Sequence, residues 1–134
     1  MEKPIGSRKN FADSEETLVS EFMELVQDIL HIDDVQELRD YVQHCKTTRL
    51  QHCVNVAYYT FLISRRLELN VRSATRGALL HDFYLYDWKN NEQPIEGRHS
   101  VVHPQVALAM AKQYTKVDSI MEDCILNHMW PMSR

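Results

Sequence analysis

Apolar residues recur at helical spacing through most of this chain. Leu18, Phe22, Leu25, Val26 and Ile29 share one helix face, and Asp13 with Glu16 one turn later predicts a capping box at its start. The residues before it, 1–12, are polar with Pro4 and Gly6 and read as a flexible lead-in to a single domain over 13–134. Asp33 and Asp34 can cap a shorter helix carrying Val35, Leu38, Tyr41 and Val42. Thr47-Thr48 predicts the cap of a third helix from about Arg49 to Glu68, with Leu50, Val54, Ala57, Tyr58, Phe61 and Leu62 as a broad apolar face. A fourth helix is expected from about Val71 to Asp82. Periodicity then breaks from Phe83 to Val102, a long loop of the kind that often lines binding sites. Pro104 suits the first turn of a helix containing Val106, Ala107, Met110 and Ala111. Asp118 can cap a last helix that ends near His128. With no strand pattern and no internal repeat, the expectation is an all-α bundle of about six helices.

Composition narrows this picture. A length of 134 residues suits one hydrophobic core, and 3 glycines and 4 prolines leave long helices uninterrupted. The net charge of -4 argues against a nucleic-acid grip, which usually carries a basic excess. Three cysteines (Cys45, Cys53, Cys124) without a CxxC spacing fit free thiols in a reducing cytoplasm better than a disulfide framework. No apolar run approaches a membrane span, and Met1-Glu2-Lys3-Pro4 lacks the apolar core of a signal peptide, so a cytoplasmic protein with no membrane partner is expected. The Leu18–Ile29 face is expected to pack on its own core, with a homodimer left open.

The chemistry concentrates on His81-Asp82, which closes the apolar run Ala78-Leu79-Leu80. An imidazole beside a carboxylate at a buried helix end is costly unless something binds both. His52, His103 and His128 fall on or beside three other expected helices. Their separations are too long for a local finger and fit ligands delivered by separate helices of a bundle. Neutral imidazole and carboxylate oxygen suit zinc, iron or manganese, and a carboxylate can bridge two ions. His31, His44 and His99 read instead as surface or capping residues. A rival zinc set, His44-Cys45 with His52-Cys53, would leave His81-Asp82 unexplained.

The motifs Arg49-Leu50-Gln51-His52, Ala78-Leu79-Leu80-His81-Asp82, His103-Pro104-Gln105-Val106-Ala107 and Ile125-Leu126-Asn127-His128 resemble, in this order, the HD-domain metal-dependent phosphohydrolases. The resemblance covers roughly residues 47–134 and is to the subset that binds two metals. It implies that His52, His81 and Asp82 hold one divalent transition ion (iron, manganese or zinc), and that Asp82 bridges to a second held by His103 and His128. The family's last metal-binding Asp lies on a helix beyond the segment matching His128. The chain ends at Arg134, so the resemblance implies a domain truncated at its C-terminus.

The activity it implies is hydrolysis of a phosphate ester or phosphoanhydride in a nucleotide or another small phosphorylated compound. A domain that binds such a ligand without hydrolysis is the alternative. Two close ions can polarise a phosphoryl oxygen and lower the pKa of a water to about 7. Arg49, one turn before His52, is the expected cationic catalytic partner of Asp82 and a phosphate contact, with Arg98 a second candidate. The loop opens Phe83-Tyr84-Leu85-Tyr86-Asp87-Trp88. Its rings are expected to pin the loop to the core, except Trp88, which could stack on a base at the cleft mouth.

Overall fold

The computed structural model describes residues 14–90 and 92–132; the lead-in and Asp13 lie outside them. Within them the chain folds into six α-helices: α1 (Glu15–Leu30), α2 (Asp33–Gln36), α3 (Arg49–Arg66), α4 (Val71–Leu80), α5 (His99–Tyr114) and α6 (Ser119–Asn127). Each long helix begins where its sequence supplies a cap or an extended residue. Ser14 caps α1, its Oγ accepting from the backbone N–H of Thr17 at 3.2 Å. Thr48, Asn70 and Asp118 do the same for α3, α4 and α6.

The apolar face of α1 is spent on the domain's own core. Leu18, Phe22, Val26 and Ile29 are buried there with Tyr58 and Phe61 of α3. Phe22 meets Tyr58 edge-on with centroids 5.2 Å apart, a geometry that adds to area burial. Helix α4 runs through the middle, packed against α3, α6 and α1. It is fastened midway along by Arg76, whose guanidinium donates to both carboxylate oxygens of Asp28 (2.6 and 2.8 Å), to the Leu25 carbonyl and to Thr115. Among the described residues no helix is long and apolar enough to cross a membrane.

Three segments differ from expectation. The stretch read as the end of the second helix is a 3₁₀ turn (Glu37–Asp40) followed by an antiparallel hairpin, β1 (Val42–His44) with β2 (Thr47–Thr48). Cys45 takes a left-handed φ of 51° at its turn, and Val42 faces solvent rather than the core. Helix α5 starts at His99, ahead of Pro104, because extended Arg98 offers its carbonyl to the N–H groups of Val101 and Val102. Pro104 is therefore inside the helix. The long loop is correspondingly shorter, and Phe83, Tyr84 and Tyr86 are buried, pinning it as expected.

Candidate metal centre

The C-terminal ends of α4 and α6, the N-terminal turns of α3 and the second turn of α5 meet around one carboxylate. Asp82 Oδ2 lies 3.4 Å from His52 Nε2 and 3.2 Å from His81 Nε2. Its other oxygen, Oδ1, lies 3.2 Å from His103 Nε2 and 3.3 Å from His128 Nε2. Within each pair the rings are as close: 3.2 Å between the Nε2 atoms of His52 and His81, and 2.8 Å between those of His103 and His128. Two groups of metal-ligand type therefore share Asp82, His52–His81–Asp82 and Asp82–His103–His128.

The helix ends aim these rings. The last carbonyls of an α-helix lack intrahelical donors, and histidine Nδ1–H can supply one. His81 donates through Nδ1 to Ala78 O at 2.5 Å, and His128 to Ile125 O at 2.7 Å. His103 does the same toward His99 O at 2.6 Å. A carbonyl only accepts, so each of these bonds places a proton on Nδ1 and turns the Nε2 lone pair of the neutral ring into the cluster. Lone pairs then face one another and a carboxylate, an arrangement that a cation among them relieves. The donor set fits a divalent transition ion, and the Nδ1 bonds are the outer contacts that such ligands commonly keep.

Asp82 is buried, which pushes its carboxyl up. The ring nitrogens of His103, His128, His52 and His81 gathered around it outweigh this and hold it well below the usual carboxylate range. Gln43 adds a hydrogen bond from Nε2 to Oδ2 at 3.0 Å.

A cleft of about 330 Å³ opens onto the cluster, walled by Gln43, Trp88, His99 and Met129. A second, larger groove of about 500 Å³ reaches His52, His81 and His128, between Val56, Thr60, Ala74 and Ala78 and the Cys124 and Asn127 side of α6.

The other expected contacts are placed less uniformly. Trp88 lines the cleft at 40% exposure, but one face of its indole is already stacked on His99, centroids 4.3 Å apart. Arg98 is exposed at the start of α5. Arg49 is only 2% exposed, and its guanidinium faces the protein interior: Nη1 donates to Tyr84 O at 2.6 Å and Tyr86 O at 3.2 Å. It is not one of the residues walling the cleft. Cys53 of the rival set is buried in the core and Cys45 is exposed, so these thiols diverge.

Sequence reasoning missed two residues. Gln43 sits on the hairpin that was read as helix. His99 was assigned to the loop, yet it stacks between Trp88 and His103, 4.2 Å from the latter's centroid. The i,i+4 spacing of His99 and His103 is the signal that could have found it, given a helix starting before Pro104.

Known proteins are similar to this chain over the segment that carries the cluster. A family model described as HD domain matches residues 49–133. Ribonuclease Y of Petrotoga mobilis is 34% identical over 71 residues, 53% of this chain and 13% of that protein. Ribonuclease Y of Fervidobacterium nodosum is 34% identical over 79 residues, 59% of this chain and 14% of that protein. The chain thus spans a small fraction of the length of these relatives. No solved structure gives a significant match. Because the family match runs over more than half of the sequence and takes in all four motifs around Asp82, the chain belongs to the HD-domain family.

Proposed function

We propose that this domain is a metal-dependent phosphohydrolase that cleaves a phosphate ester or phosphoanhydride in a nucleotide or another small phosphorylated compound. The observation that carries the reading is the division of Asp82, one oxygen facing His52 and His81, the other facing His103 and His128. In this reading the two groups each hold a divalent ion of iron, manganese or zinc, with Asp82 shared. Such ions supply Lewis acidity toward a phosphoryl oxygen and lower the pKa of water. The residues of the chain do the rest. The Nδ1 bonds keep the imidazoles of His81, His103 and His128 aimed without reorganisation, and burial of His81, Asp82 and His103 keeps bulk water from the inner wall. Trp88, which walls the cleft, and Arg98, exposed at the start of α5, are the proposed contacts for the base and phosphate of the substrate. Arg49 acts from behind Asp82 rather than on substrate. The two ribonucleases among the relatives make a phosphodiester one bond to test.

The test is metal analysis of the purified protein, then turnover with added Mn²⁺ on nucleoside phosphates, dinucleoside polyphosphates, cyclic dinucleotides and a short oligoribonucleotide. Bound metal and turnover that Asp82→Ala abolishes are expected. Thermal stabilisation by one of these compounds without turnover would instead show a binding module, and a protein that binds no divalent ion would overturn the reading.

A further inference from the structure

We propose that Gln43 is a positioning residue of this metal centre, fixing the Asp82 carboxylate for the His52–His81 half of the cluster. The inference rests on the metal-binding reading above. Gln43 lies on β1, outside the helices that supply the ligands. Its Nε2 donates to Asp82 Oδ2 at 3.0 Å, and its Oε1 accepts from Arg49 Nε at 3.2 Å.

Both ends of this amide are dictated by chemistry. A guanidinium only donates and a carboxylate only accepts, so the carbonyl of Gln43 must face Arg49 and its NH₂ must face Asp82. Glutamate at this position would set a second negative charge against Asp82. Asparagine is one methylene too short to span the gap. Leucine would fill the space and satisfy neither neighbour.

The relay is anchored on rigid ground. Arg49 is held by the carbonyls of Tyr84 and Tyr86, just downstream of His81-Asp82, and its Cζ sits 3.7 Å from the Tyr84 ring centroid and 4.6 Å from that of Tyr41. The loop that follows the ligand pair therefore positions Arg49, Arg49 orients Gln43, and Gln43 fixes Asp82. Oδ2 is the oxygen that faces His52 and His81. A hydrogen bond there occupies one of its lone pairs and sets the plane of the carboxylate, which decides the direction of the lone pair left for an ion.

Metal-free protein is titrated with Mn²⁺ by calorimetry, and the visible absorption of the Co²⁺-loaded protein is recorded, for the wild type, Gln43→Leu and Gln43→Met. Loss of an outer contact of this kind typically weakens metal binding by about 10- to 100-fold. Both variants are expected to lose Mn²⁺ affinity in that range and to shift the Co²⁺ spectrum, while staying folded when metal-free with a melting temperature lowered by the lost hydrogen bonds to Arg49 and Asp82. Wild-type Mn²⁺ affinity with an unchanged Co²⁺ spectrum in either folded variant overturns the role of Gln43 and leaves the metal centre standing. A wild-type protein that binds neither ion overturns both, and that failure is visible before any variant is compared.

Discussion

The Nε2 atoms of His103 and His128 lie 2.8 Å apart, each on a ring whose Nδ1 already donates to a backbone carbonyl. Their lone pairs therefore meet head-on, and the folded protein holds this contact ready for a cation. A ligand that binds only the native state stabilises it by about 2.7 kcal/mol at a hundred times its Kd. Urea unfolding with Mn²⁺ and with a chelator should show a gain of that order for the wild type and none for Asp82→Ala, because that one substitution removes an oxygen from both halves.

Gly77 sets the distance between α4 and α6. A Cβ built there would stand 3.0 Å from Cys124 Cβ and 3.1 Å from Met121 Cα, and the latter is backbone that cannot swing aside. Alanine would favour the helix by roughly 1 kcal/mol, but forcing α6 outward costs about 1–3 kcal/mol, so the net change should be destabilising. Since α6 delivers His128, Gly77→Ala should also weaken Mn²⁺ binding. A urea midpoint and a Mn²⁺ titration on the same sample would check both.

Arg49 is a buried cation satisfied by carbonyls, an amide and two aromatic faces. Lysine keeps the charge but has neither the fork nor the flat face, and hydrogen bonds to charged groups contribute about 1.5–3 kcal/mol each. Arg49→Lys should lower unfolding stability by about that amount, measurable in urea. A variant as stable as the wild type would show that the carbonyls of Tyr84 and Tyr86 do not depend on the guanidinium.

Asp28 and Asp118 are both held below the ordinary carboxylate range, Asp28 chiefly by its hydrogen bond to Arg76 and Asp118 by those to Ser73 and the Met121 N–H. A depressed folded pKa gives stability that is complete above the unfolded value, near 3.9, and is lost as pH falls through the folded value. Asp28→Asn should therefore be less stable than the wild type at pH 6 and converge with it in strong acid. Asp28 is largely solvated, its side chain 58% exposed, so the difference should be small and shrink with salt. Urea midpoints across that range would measure it.

Much of this was legible in the residues themselves. Helical spacing located α1, α3, α4 and α6 to within a few residues, since their apolar faces and the caps Thr48 and Asp118 agree with one another. The segment around Tyr41 misled because a 3₁₀ turn followed by a short strand can carry the apolar spacing of a helix. The start of α5 misled because proline was read as a first-turn residue, and it hid His99. The convergence of five ligand-type side chains on one point was signalled only by order and context. Nothing local in the sequence states that Gln43 and Arg49, six positions apart, reach the same carboxylate through one amide.

The four imidazoles around Asp82 come from helices that are far apart along the chain. No short stretch of the polypeptide contains the cluster, so it exists only after α3, α4, α5 and α6 have docked. An ion held there would act on the chain as a removable cross-link, closing several long loops at once in a domain whose cysteines are free thiols. Loss of metal would then be felt first as earlier unravelling of the helix ends that carry His81 and His128, and hydrogen exchange at those ends would report it.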